Sequence, residues 1–358
     1  MNRFRESVPA NRPNRRQCMR MIYGVATLTM IPRIALPRDS ARLQDSTRAF
    51  EKEIEPPDCY ARMSLYRCEL ELIRGRLDRQ AVQRSEISVS GAAPREVYFQ
   101  ALTLFGKSER LSFDLTRDVV RMTFESPREI RPADVLEVID ASLHQILKIK
   151  SHLGITQECK EPIREAERTP TDVFRSIVQA NRQLNLMLET PYAPRDVFQQ
   201  VNLAVSYCAR ILAQYPGVER FPPTPDLIDG KIPPDVFRRL LDCFELIRQI
   251  EVHLGLTILE LSIDENEIQQ AVPGDVHDIA SLLVSEVAFL HGKLADAKPP
   301  RKSVDPGPQT PSKVFQRAGI LQQQLQLLLE QVAAGNLADG WQNAQRASNA
   351  SGRPADDR

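Results

Sequence analysis

The chain has 358 residues, room for two or three domains at about 150 residues each. Its 47 Lys and Arg balance 47 Asp and Glu, and a net charge of zero argues against a dedicated nucleic-acid binder, which carries a basic excess. Apolar residues at 42 % exclude a disordered chain, and 15 glycines against 26 prolines suit helices joined by proline-marked connections better than a sheet with Gly-rich turns.

Residues 1–41 read as an export leader. Arg3, Arg5, Arg12, Arg15, Arg16 and Arg20 precede an apolar run from Met21 to Pro32, the layout of a secretory signal peptide. The run falls short of the roughly 20 residues a membrane span needs. Arg33 follows at once, and no clean small-residue cleavage site stands beyond it. The expected location is periplasmic or secreted, with a cytoplasmic chain bearing a basic leader as the alternative. No other stretch suits an integral membrane span.

A helix is expected over 57–80, through Cys59, Met63, Tyr66, Leu70, Ile73 and Leu77. After it a short signature, Pro-x-(Asp/Glu/Lys)-Val, recurs seven times, opening at Pro94, Pro132, Pro170, Pro194, Pro233, Pro273 and Pro311. The intervals are 38, 38, 24, 39, 40 and 38 residues. Proline is favoured at the first position of a helix, where its missing N–H is no loss. An acid two residues later faces the positive helix end and can cap its free N–H groups. Each signature therefore reads as a helix start.

Stepping from each signature valine by 4, 3, 4, 3 and 4 residues gives one seam per helix. Val97, Ala101, Leu104, Ser108, Leu111 and Leu115 form the first; Val236, Leu240, Cys243, Ile247, Ile250 and Leu254 form the fifth. Over all seven helices, 39 of 41 such positions are apolar. A 4-3 alternation is the heptad seam of helices packed at small crossing angles. The fold class that follows is all-α: repeated amphipathic helices of about 20 residues, with in-phase heptad seams, forming one or two helical bundles. An α-solenoid is the alternative, since a 38-residue period lies in its range.

Helices over 94–117, 132–153 and 170–189 join 57–80 in a first part spanning 57–190. Helices over 194–215, 233–255, 273–295 and 311–333 make a second part spanning 194–333, and 334–358 reads as a disordered tail, removable at no cost to stability. About five residues between the 170 and 194 helices imply an antiparallel hairpin. Elsewhere the linkers are long enough to run back along a helix, so neighbours can be parallel or antiparallel. Pro162 to Arg168 reads as a short second helix, and Ile87–Val89 and Leu256–Ile263 as strand-like pieces.

The six cysteines, Cys18, Cys59, Cys68, Cys159, Cys208 and Cys243, include no Cys-x-x-Cys pair. On one helix Cys59 and Cys68 lie about 13 Å apart on opposite sides, too far to bridge. Cys208 and Cys243 fall on seam positions, where buried thiols are the simpler expectation, and cysteine usage leaves the compartment open.

No phosphate loop, nucleophile elbow, His-Glu-x-x-His, calcium loop or di-iron Glu-x-x-His pair occurs, so neither a metal nor another cofactor is expected. His152 and His253 sit in last helical turns, where they complement the helix dipole. His277 and His291 are about 21 Å apart along one helix and cannot share an ion; His144 stands alone. Ser108 and Ser142 interrupt the seam at the same depth. Together they are the candidate lining of a small ligand cavity, although a mid-helix serine more often bonds back to the carbonyl one turn earlier.

The functional expectation is a non-enzymatic, exported helical-repeat bundle protein that binds a protein partner or small ligand, or acts as a scaffold. The alternatives are a ligand-sensing bundle module of a signalling system and, behind it, an enzyme with a dispersed site. Heptad seams also close between chains, so a homo-oligomer is allowed.

Overall fold

The computed structural model describes residues 53–83, 87–118, 122–124, 129–295, 297–301, 306–338 and 340–341. The leader reading over 1–41 lies outside them, as does the tail beyond Trp341. Among the described residues there are nine helices and one two-stranded ribbon. The long helices are α1 (Pro56–Arg76), α2 (Pro94–Thr116), α3 (Pro132–His152), α4 (Pro170–Met187), α5 (Pro194–Leu212), α6 (Pro233–His253), α8 (Pro273–Gly292) and α9 (Pro311–Ala333). A single turn, α7 (Glu265–Gln269), precedes α8, and β1 (Ser88–Ser90) pairs antiparallel with β2 (Glu260–Ser262).

Every long helix begins at proline, and the signature acid does what its position suggests. In α1 to α6 and α8 its carboxylate accepts the N–H of the residue before the proline, at 2.7–3.0 Å. In α9 the acid is replaced by Lys313, and the Thr310 hydroxyl accepts the Lys313 N–H instead. The α3 and α6 ends close at Gly154 and Gly255, both at φ +66°, where the N–H of the following residue bonds a carbonyl five residues back. The seam is the core: each of its residues is buried except Leu115 and Leu153, which are half-buried.

The helices close into two rings of four, not a solenoid. In the first ring α1 packs on α3 and α4, and α2 packs on α3 and α4. The second ring repeats this order, with α5 on α8 and α9, and α6 on α8 and α9. Within each ring the helices run parallel. Pro56, Pro94, Pro132 and Pro170 meet at one end of the first bundle with Cys59, Val97, Val135 and Val173. In the second, Arg239 of α6 donates to the Phe315 carbonyl of α9, and Arg317 of α9 bonds Asn202 of α5. Four aligned helix dipoles concentrate positive potential at one end, and the signature carboxylates sit where that potential is greatest.

Parallel neighbours require long return connections, which lie as straps on the outside of the rings. Residues 80–82 and 89–92 lie on α4, where Gln183 accepts from Val82 N–H and donates to the Gln80 carbonyl, Arg175 donates to the Val89 carbonyl and Thr171 accepts from Ala92 N–H. Residues 154–169 run along α1, fixed by a disulfide between Cys68 and Cys159, by Arg164 on Asp58 and Glu55, and by Arg168 over the Tyr60 ring. Pro162 to Arg168 is thus a strap and not a second helix: only one turn forms in it, closed by the Arg168 N–H on the Glu165 carbonyl, and Arg164 and Arg168 are held by side chains of α1. Residues 213–232 follow α9, held by Gln324 on the Arg220 carbonyl and Gln316 on the Pro225 carbonyl. The linker after α8 reaches α5, where Arg210 donates to the Lys298 carbonyl.

The two bundles lie side by side and point in opposite directions. Arg95, at the start of α2, meets Glu251 at the end of α6, and Lys107 late in α2 meets Asp278 early in α8. The short 188–193 linker does reverse the chain, but α4 and α5 do not pack along each other as a hairpin. Their seams are already committed to partners in separate rings.

The expected tail also needs correction at its start. The Trp341 side chain is 1 % exposed and its indole N–H donates to the Leu290 carbonyl at 3.0 Å; Ala338 is buried beside it. No helix of the described residues is long and apolar enough to cross a membrane.

Candidate functional site

The two serines singled out by the seam are fully buried, and each hydroxyl is spent inside the bundle. Ser108 donates to the Leu104 carbonyl at 2.7 Å and faces the Tyr66 hydroxyl at 2.8 Å; Ser142 donates to the Val138 carbonyl at 2.7 Å. Neither lines the grooves described next. The free cysteines are equally closed: burial pushes the Cys59 and Cys208 thiols up to about 12 and raises Cys243 further.

The open spaces lie against α4. A groove of about 660 Å³ is lined by Ser64, Arg67 and Glu71 of α1, Gln179, Arg182 and Gln183 of α4, and Ala81–Val82 of the strap. A second, of about 420 Å³, continues around the same strap to Asn185, Leu186, Gln270, Val272 and Asp275. Both share Ala81, Val82 and Arg182, and Arg182 is fixed by a 2.7 Å ion pair with Glu267. The pair therefore forms a polar trough rich in carboxamides, with a rigid guanidinium between its halves. His144 and His152 line a separate shallow space with Asp118 and Lys148, but at two turns apart they are about 12 Å from each other. Among the described residues no group of three His, Cys, Asp or Glu is placed to hold a metal.

The strongest electrostatic features lie where the bundles meet. Lys107 is fully buried; its ammonium contacts the Asp278 carboxylate at 2.6 Å and donates to the Asn181 carbonyl. Asn185 also donates to Asp278, and its side chain fills the space that a Cβ at Gly274 would take, 2.6 Å away. His277 stacks on Tyr192 at 4.0 Å, and burial pushes its pKa below the ordinary value. About 18 Å back along α2, Arg95 is surrounded by three buried carboxylates: Glu96, Glu251 and Glu286. Burial raises Glu96 to about 8, with the nearby Glu286 charge adding to it, and also raises Glu251 and Glu286, whose side chains face each other within hydrogen-bonding reach.

No protein-family model, curated protein or solved structure matches this chain.

The junction residues were missed because they adjoin the seam, on stripes that a single bundle would leave solvated. A signal was present nonetheless. The signature carries Glu only at Glu96, glycine after the proline only at Gly274, and, directly after the valine, histidine only at His277, where the other six copies have an aromatic residue or leucine. All three departures fall on α2 and α8, at the contact between bundles.

Proposed function

We propose that the protein is a non-catalytic helical-bundle binding protein of the periplasm or cell exterior, holding a polar ligand or an exposed segment of a partner protein in the trough along α4. The observation that carries this reading is the trough itself: two adjoining spaces of about 660 and 420 Å³, with Arg67 and Gln179 among the lining and Arg182 and Gln183 held in place there by Glu267 and the strap. Convergent polar groups on a preformed scaffold are what a binding site requires. The Cys68–Cys159 bridge supports an oxidising compartment. It agrees with the export layout of residues 1–41.

The experiment is native mass spectrometry of the protein recovered from the soluble and envelope fractions of its own host, for the wild type and for Arg67→Glu with Gln179→Ala. A shortened N-terminus and a retained mass that the double variant loses support the reading. An intact leader, or a retained mass indifferent to both substitutions, overturns it.

A further inference from the structure

Four ionisable side chains meet between the bundles, and only one of them is a cation. Arg95 donates to Glu251 at 3.1 Å, to the Thr257 carbonyl at 3.0 Å and to Glu286 at 3.5 Å. Its Nε lies 2.6 Å from Glu96 Oε1, but in a direction too poor for a hydrogen bond. The guanidinium rests on the Phe289 ring, whose centroid is 4.1 Å from Cζ and also 4.5 Å from the Lys293 ammonium. The carboxylates are 0–3 % exposed. Glu96 comes from the first bundle; Glu251 and Glu286 come from α6 and α8 of the second.

With all three carboxylates ionised the cluster carries two uncompensated negative charges on side chains that are almost fully buried, which is costly. Two protons restore neutrality. The hydrogen bonding needs them as well. Glu251 and Glu286 face each other, two carboxylates offer no donor between them, and Glu96 Oε1 and Glu286 Oε1 have no hydrogen-bond partner.

We propose that this cluster is a proton-dependent latch between the bundles, closed while Glu96, Glu251 and Glu286 share two protons and loosened when those protons leave. The groups facing it from the packed elements are Arg95 on α2, Glu251 on α6, Glu286 on α8 and Lys293 just after α8. Lys293, itself held below its ordinary pKa by burial and by Arg95, adds only a weakened counter-charge. The 188–193 linker and the β1–β2 ribbon tether the bundles on either side of the latch, so loosening is a hinged opening and not a separation. The latch does not depend on what the trough holds.

The test follows the glutamate side-chain carboxyl carbons of the ¹³C-labelled full chain by NMR from pH 5 to 10, with small-angle X-ray scattering over the same range. The latch requires two protons to leave well above the ordinary carboxyl range, their loss shared among the three carboxyl signals, and a radius of gyration that rises as they leave. Glu286→Gln keeps the shape but cannot ionise; it removes one late titration and holds the molecule compact at pH 9. Glu251→Gln gives the same readout if the first variant does not fold. Glutamates that all titrate near their ordinary value, a radius constant with pH, or a Gln variant that expands like the wild type each overturn the proposal.

Discussion

Ile247 and Trp341 show how differently two buried side chains can be announced. Ile247 lies in the middle of a seam whose phase can be counted from Val236, and it is 1 % exposed. An aspartate there places an unpaired charge among apolar side chains, so we expect Ile247→Asp to cost several kcal/mol, read as a lower urea midpoint at unchanged slope. An unchanged midpoint would mean the seam is wrongly phased. Trp341 stands in a stretch of Gly, Asn, Ala and Asp with no period, and nothing local marks it as buried. It is nevertheless among the largest fully buried side chains. Trp341→Ala should cost about 3–5 kcal/mol by the usual scale for emptying an aromatic site. Deleting 334–358 should do at least as much damage, the reverse of what composition suggests.

Among the elements, helices and straps obey different rules. A helix start was readable because proline, acid and valine each answer a local need: a missing N–H, a free donor at the helix end, the first core contact. Where Glu96, Gly274 and His277 differ from the other copies of the signature, the reason is a neighbour outside their own bundle: Glu286 beside Glu96, Asn185 against Gly274 and Tyr192 of the linker on His277. Straps have no period, since their groups are satisfied by side chains of the helix beneath, as Gln183 does for residues 80 and 82. The strap over α1 is the most firmly fixed because Cys68 and Cys159 close a loop of 91 residues. Loop-closure entropy puts such a bridge at up to about 4–5 kcal/mol. We expect dithiothreitol, or Cys68→Ser with Cys159→Ser, to lower the melting temperature clearly while far-UV circular dichroism at 25 °C stays helical. If reduction leaves the melting temperature in place, the bridge is not closed in the folded protein. Sequence could not supply this pairing, since no Cys-x-x-Cys spacing occurs and two cysteines 91 residues apart give no framework to read.

For the whole molecule the deciding quantity is the charge between the bundles. Carboxylates whose folded pKa lies above the unfolded value bind more protons folded than unfolded between the two, so stability falls as pH rises through that window. Glu96, with a folded value of about 8 against an ordinary 4.5, together with Glu251 and Glu286, sets the window from about pH 4.5 to 8. His277 acts oppositely: its lowered pKa makes the folded state lose stability as pH drops below its ordinary 6.5. Above pH 6.5 the carboxylates act without that opposition, and the melting temperature should fall from pH 6.5 to 8.5. In Glu286→Gln the fall should be shallower. A rising or flat profile across that range would show that the three carboxyls are already ionised at pH 6.5.

The sequence by itself determined that the chain is all-helical, where each long helix begins, and which stripe of each is buried. Those properties follow from proline geometry, end-capping and a 4-3 spacing, all settled within about four residues of chain. Only the tertiary structure decided that four parallel helices close each ring, that the two rings lie antiparallel, that Cys68 meets Cys159, and that Arg95 gathers three carboxylates. A solvated stripe and a stripe facing a second bundle have the same local pattern. What separates them is the presence of a neighbour tens to almost two hundred residues away, and no short-range rule carries that information.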